Sequence, residues 1–499
     1  MTDHDNPTAS QDRRYKREQQ RDGKVPLDAK IYQGIGALAD TYKNFAFGTF
    51  VLFYYNQVLG MPAFYASIAI MVALVIDAVT DPLVGSFSDG LQTRLGRRHP
   101  LMYASALPLG LTLFLLFVPP DNLDSTGLFI WLTIFAVAVR VSMTLFQVPW
   151  NAMFAEFSDD YAERSQIVTF RYLCGWIGGT VFVWCTWTFI FPSTEEYTPG
   201  HMNPDSYLTF AIVLGVAVTT AVLLTTHLTR NQIPFLLQPQ QSERFTLPKV
   251  WSDVKAALTN KDFVILFFGL FMMSVLGGTT GAFELYINTY FWGLLPEDLR
   301  WLTLTIIGSM FAFVVIPLLQ SRFDKKHLLV FFMMFLLING IGLILLRFAD
   351  LLPKNGEPML LIIIVANEVV RTAAGTVVAI MFVSMVADTL DKQELETGRR
   401  QEGVFSSAMT FAGKATSGVG ILLGGLILDY VLAFPQGVDP NDADPGLIFD
   451  LGLYAGVMIP LFYLIPFWFV TRYDITRETH SRIQEELIIR RRQRQSGEG

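Results

Sequence analysis

Apolar residues arrive in long runs. Scanned for stretches of about 20 residues, the length a helix needs to cross about 30 Å of hydrocarbon, the chain gives twelve. They lie at 32–60, 63–89, 100–118, 127–152, 166–192, 207–229, 262–292, 301–320, 327–348, 358–388, 403–434 and 447–472. The longest polar segment, Arg230 to Lys261, follows the sixth run and divides the chain into two sets of six. The pattern predicts an all-α membrane protein with helical domains at 31–230 and 262–472, a central loop at 231–261, a disordered N-terminal tail at 1–30 and a C-terminal tail at 473–499.

Composition agrees. Of 499 residues, 52% are hydrophobic and 16% charged, where a soluble chain carries about a quarter charged residues. The net charge of −7 hides a segregation of sign: 29 of the 37 Lys and Arg fall in the two tails, counting Arg472 at the edge of the last run, and in the loops that follow even-numbered runs. The opposite loops carry only Arg300, Arg347 and Lys354, and PPDNLDST, PSTEEYTPGHMNPD and FPQGVDPNDADPG are acidic or neutral. Positive charge marks the cytoplasmic side. Both termini and the central loop are therefore expected inside, in the inner (plasma) membrane.

Other classes receive no support. Cys174 and Cys185 share one apolar run, which argues against a disulfide scaffold. The first 30 residues lack the apolar core of a cleavable signal. No HExxH, GxSxG or phosphate-cradling loop is present, so the expectation is not an enzyme, with no organic cofactor and no nucleic-acid partner.

Within the runs stand Asp40 and Lys43, Asp77 and Asp81, Arg140, Arg171, Glu284, Glu368 and Arg371, and Lys414. A charge at the centre of a membrane helix costs about 2.5–3.5 kcal/mol on insertion scales, so each must face water, protein or an ion. Asp40/Lys43 and Glu368/Arg371 are i,i+3 neighbours able to pair within one helix. Asp77 and Asp81 share a face at i,i+4 with no base one turn away. Two such carboxylates repel unless a proton or a hard monovalent cation enters; the competing reading gives Asp81, which precedes Pro82, a role in a helix bend. The loop after the second run, DPLVGSFSDGLQTRLGRRHPL, has a shorter counterpart after the eighth, IPLLQSRFDKKHLLV, which suggests an internal repeat. Tyr42, Trp150 and Tyr286 read as packing residues or as platforms for a sugar ring.

Three spaced motifs resemble one family. Asp77-Ala-Val-Thr-Asp81-Pro82-Leu-Val-Gly85 leads to Ser88-Asp89 and Arg94-Leu-Gly96-Arg97-Arg98-His-Pro100. Pro149-Trp150-Asn151-Ala152 and Glu156 lead to Tyr161-Ala-Glu163-Arg164 and Phe170-Arg171. Ala387-Asp388-Thr-Leu-Asp391 and Glu394 lead to Thr397-Gly398-Arg399-Arg400-Gln-Glu402-Gly403 and Lys414. Together they resemble the glycoside-pentoside-hexuronide:cation symporters, melibiose-permease-like members of the major facilitator superfamily, over the length from Gly34 to Arg472.

The resemblance implies a major facilitator fold, twelve helices in two six-helix bundles related by pseudo-twofold symmetry, and symport of a sugar or glycoside with Na+ or H+ by a monomer in the bilayer. Asp77, Asp81 and Thr144 fall at cation-site positions, and Gln147 stands where melibiose-type members carry an aspartate. An amide oxygen can ligate but brings no charge, which leaves proton coupling open. No metal beyond the coupling Na+ is implied. Asp40, Gln147, Trp150, Asn151, Arg171 and Lys414 fall at or beside substrate positions, Asp40 one place off the family's acid and so about 100° around the helix. Asp89, Arg94, Arg97, Arg98, Asp388, Arg400 and Glu402 would form charged gates. An amphiphile carrier for a lysolipid, or an uncoupled facilitator, is the alternative.

Overall fold

The computed structural model describes residues 15–16, 21, 23–236, 238–239, 261–397, 402–473 and 476–496. The chain divides into two compact units, Met1–Phe245 and Thr246–Gly499. The first contains α1 (Leu27–Phe45), α2 (Ala63–Gly90), α3 (His99–Leu116), α4 (Ser125–Glu156), α5 (Tyr161–Cys185) and α6 (Pro204–Leu228). In the second lie α7 (Lys261–Tyr286), α8 (Thr305–Arg322), α9 (Lys325–Phe348), α10 (Pro358–Thr397), α11 (Glu402–Leu426), α12 (Pro445–Thr471) and a polar terminal helix, α13 (Arg477–Ser496). Tyr15–Lys16 pairs antiparallel with Gln238–Pro239 in the first unit.

Among the described residues, ten of these helices are long and apolar enough to cross a membrane. α1 and α11 complete the twelve expected. α1 falls outside the ten because Asp28, Lys30, Asp40 and Lys43 interrupt its apolar residues, and the apolar stretch of α11 is the shorter Thr416–Val431, which runs on past Leu426. Leu111, Val216, Val314 and Ile338 are more than half exposed, an outward apolar face that only lipid solvates without cost.

Helix starts follow from the loop chemistry. The acidic loops open helices through caps: Asp124 Oδ1 accepts from Gly127 N at 2.8 Å, Asn203 Oδ1 from Asp205 N at 3.0 Å and Asp444 Oδ2 from Leu447 N at 3.3 Å. Each cap satisfies an amide that the helix itself leaves unbonded.

Packing is repeated. α1 packs on α5 and α6, α2 on α4, and α3 on α4 and α6; correspondingly α7 packs on α11 and α12, α8 on α10, and α9 on α10 and α12. In both units the first and fifth helices approach closely through glycine. A Cβ on Gly178 would collide with Leu38 and one on Gly179 would stand 2.6 Å from Thr41; a Cβ on Gly420 would collide with the Val275 carbonyl and one on Gly424 would stand 2.6 Å from Ala282. The same four helices continue into wide π-helical turns at Ala46–Val51, Thr186–Ile190, Ile287–Phe291 and Ile427–Val431.

The first unit is fastened differently at its two ends. At one, Phe50, Tyr54, Phe117, Phe191, Tyr207 and Phe210 form a cluster of rings with centroids 4.1–6.3 Å apart. His201 joins its edge, wholly buried against Phe53 and Trp187. Burial against these rings pushes the His201 imidazole down to about 3. At the other end the fastening is ionic and belongs to the site.

Candidate functional site

Asp77 and Asp81 lie one turn apart on α2, and α4 packed against it supplies Thr144. The Thr144 Oγ1 is 2.9 Å from Asp77 Oδ1 and 3.1 Å from Asp81 Oδ1. Asp77 and Thr144 are buried, with 5% and 1% of their surface exposed. α2 runs through Pro82 without ending; membrane helices tolerate such a proline where neighbours satisfy the freed carbonyl. A hydroxyl has one hydrogen, so it serves one carboxylate at a time. The second short oxygen–oxygen approach becomes attractive when a further proton or a cation sits among these oxygens.

No basic residue stands one turn from the pair on α2, but α4 provides one. Arg140, one turn before Thr144, places Nη1 3.6 Å from Asp77 Oδ2 and its guanidinium carbon 4.7 Å from the Phe47 ring centroid. Its i,i+4 spacing from Thr144 was the only sequence sign that it shares their face.

One turn further along α4 the same face opens on a cavity of about 380 Å³. Its wall includes Asp40 and Thr41 from α1, Gln147, Trp150 and Asn151 from α4, and Arg171 and Trp176 from α5. The structure thus brings five of the six sequence-derived solute residues together; Lys414, on α11, belongs to the other unit. Arg171 hydrogen-bonds Asn151 and lies 3.7 Å from the Trp150 ring centroid and 4.9 Å from that of Phe154. Trp150 is only 3% exposed, its Nε1 donating to the Gln33 carbonyl at 2.9 Å while Gln33 Nε2 donates to the Trp150 carbonyl at 2.8 Å. Trp150 therefore meets the cavity chiefly by backing Arg171. Asp40 pairs with Lys43 at 3.0 Å and keeps about a third of its side chain exposed.

Tyr42 and Tyr286 are packing residues. Tyr42 stacks on Phe182 with centroids 4.2 Å apart, and Tyr286 is buried against Phe434 and Tyr290.

The α2–α3 loop makes an ionic knot. Arg97 Nη2 and Arg98 Nη2 stand 2.7 and 2.8 Å from the same Glu156 oxygen, at the end of α4, and both arginines also meet Asp89, at 3.3 and 2.8 Å. Arg94 is exposed and stands outside the knot. Glu156, its hub, appeared in a motif but not among the expected gating residues. Its counterpart did: in the second unit, Lys325 Nζ is 2.8 Å from both oxygens of Asp388 near the end of α10, so the same loop grips the same helix in each half. The repeat, carried back from Asp388 to the end of α4, points to Glu156. Asp388 is held further by His480 of α13 at 3.3 Å, which also reaches Asp391 at 3.2 Å. Arg400 lies outside the described residues, and Glu402 is the first residue of α11. The two i,i+3 pairs form within their helices, Arg371 meeting Glu368 at 3.1 Å.

Comparison with known proteins places this geometry in context. A family model described as MFS/sugar transport protein matches residues 32–477. An uncharacterized symporter of Bacillus subtilis is 27% identical over 89% of this chain and 90% of its own. The isoprimeverose transporter of Lactiplantibacillus pentosus is 25% identical over 79% and 78%, and the sodium-dependent lysophosphatidylcholine symporter 1 of Xenopus tropicalis is 26% identical over 83% and 81%. Among solved structures, a D-xylose-proton symporter superposes with a TM-score of 0.58 at 13% identity, covering 90% of this chain and 98% of its own. With a family match spanning nearly the whole chain and the major facilitator fold in both units, this protein belongs to the MFS/sugar transport protein family, as an integral multi-pass membrane protein.

Proposed function

We propose that the protein is a secondary active transporter that carries a sugar or glycoside together with Na+ or H+ across the plasma membrane by alternating access, with both termini cytoplasmic. The observation that carries this reading is Thr144 set between Asp77 and Asp81, one helical turn from the Gln147 edge of the solute cavity. A cation entering there neutralises carboxylates that a low-dielectric site holds at a cost. Arg171, Asn151, Gln147 and Asp40 offer donors and acceptors for sugar hydroxyls. Since solute and cation are bound by adjacent turns of one face of α4, filling one site biases the other, and carriage follows when both are filled.

The isoprimeverose relative supports a glycoside. A lysolipid carrier is the second reading, supported by the lysophosphatidylcholine relative and by the aromatic walls Phe154, Tyr172 and Trp176 of the cavity. Reconstituted protein is tested with isoprimeverose and with lysophosphatidylcholine under Na+ and proton gradients imposed separately. The proposal expects gradient-driven uptake of isoprimeverose or a related glycoside, abolished in Asp77→Asn and Asp81→Asn. Unchanged cation dependence in those variants overturns the coupling assignment, and uptake of the lysolipid alone overturns the sugar.

A further inference from the structure

Two buried bases border this site, Arg140 beside Asp77 and Lys43 beside the cavity-lining Asp40, and the transport reading above gives neither a task. Lys43 and Arg140 are 4% and 9% exposed. Lys43 is hydrogen-bonded to Asp40, which lines the cavity. Arg140 faces Asp77, which shares the Thr144 hydroxyl with Asp81. Each base lies within electrostatic reach of both Asp40 and Asp77 and of the other base.

The two holds differ in kind. Lys43 sits on Asp40 at 3.0 Å, a charge-assisted hydrogen bond. Arg140 stands 3.6 Å from Asp77, beyond hydrogen-bond length, its Nε is buried without a hydrogen-bond partner, and the Phe47 ring covers one face. A guanidinium normally locks to a carboxylate with two parallel bonds. This one is an attraction without a lock, and a ligand that satisfies Asp77 better displaces it.

We propose that Arg140 is the internal counter-ion of the coupling site. It balances Asp77 while the coupling cation is away and yields when that cation binds. The released positive charge then acts through Lys43 on Asp40, which is how occupancy at Asp77 and Asp81 reaches the solute. Arg140 is thus a positioning residue, touching neither the solute nor the cation. The proposal rests on the symport reading, and its test separates the two.

Full-length protein in nanodiscs is titrated with Na+ at fixed pH, and with acid in the absence of Na+, following intrinsic tryptophan fluorescence with and without isoprimeverose. In Arg140→Gln the competing charge is gone. The expected result is a half-saturating concentration lower by about tenfold or more for the coupling cation, the size of shift a neighbouring charge imposes. In the same variant, saturating cation should no longer improve isoprimeverose binding. An arginine that merely supports the fold would lower the melting temperature and leave both quantities alone, so a midpoint within about twofold of wild type overturns the proposal. If Arg140→Gln does not fold, Arg140→Lys decides. The compact ammonium holds Asp77 less well, so its midpoint should move the same way by a smaller factor, and an unmoved midpoint again overturns the assignment. A wild-type protein that responds to neither ion defeats the symport reading itself, and the counter-ion with it.

Discussion

The guanidinium carbon of Arg171 lies 3.7 Å from the centre of the Trp150 ring, so the cation that faces the cavity is held from behind by an aromatic that hardly faces it at all. Desolvated cation–π contacts contribute about 1–2 kcal/mol. Trp150→Leu is expected to raise the KM for glycoside uptake by roughly 5–30-fold while leaving the cation half-saturation in place, because the contacts among Asp77, Thr144 and Asp81 do not involve it. Trp150→Phe keeps the ring and should recover most of the loss. Uptake kinetics on the three proteins decide it.

Glu156 is the acid on which two buried arginines converge. Removing one partner of a buried ionic group leaves the others uncompensated, at a cost of about 3–5 kcal/mol. Glu156→Gln should therefore lower the melting temperature far more than Arg94→Gln, whose side chain is exposed and outside the knot. Thermal unfolding in detergent, followed by scanning fluorimetry, compares them; equal shifts would mean that the knot adds nothing to stability.

Gly420 lets α11 lie against the Val275 carbonyl of α7, and Thr279 Oγ1 bonds the Gly420 carbonyl at 2.9 Å. A methyl there must push the helices apart. Overpacking of this kind costs about 1–3 kcal/mol, so Gly420→Ala should be destabilised, whereas Gly277→Ala, which meets open space, should match wild type or exceed it. The same unfolding measurement reads both.

His201 gives stability a pH dependence. Its imidazole titrates near 3 when folded and near 6.5 when unfolded, so between those values the unfolded chain holds the extra proton and acid favours unfolding. Its contribution is present above about pH 6.5 and is lost as pH falls toward 3, with a slope of at most about 1.4 kcal/mol per pH unit. His201→Phe, which keeps the ring contacts with Phe53 and Trp187, should flatten the melting temperature measured between pH 7 and pH 5. An unaltered slope would show that the acid sensitivity arises elsewhere.

The sequence made some of these features plain and hid others. Twelve runs could be read because lipid demands a continuous apolar length, and the helices follow them. Asp77 and Asp81 stood out because a carboxylate inside such a run is expensive. Arg140 was visible as a charge but its partner was not, since the contact joins residues 63 positions apart on two helices and nothing local fixes which faces meet. Glu156 escaped as a hub because an acid at a helix end is ordinary in water. α13 read as a tail: its apolar face comes down to Ile483 and Leu487, too little to announce a docked helix among so many charges.

The first unit is closed by rings at one end and by charges at the other, and these fastenings obey different external variables. Aromatic contacts strengthen with added kosmotropic salt and weaken on cooling, whereas the ionic knot, through the half-exposed Asp89, yields to electrolyte. A kosmotropic salt therefore works on this bundle as a lever with a built-in direction, loosening the Asp89 edge of the knot while tightening the Tyr207 end.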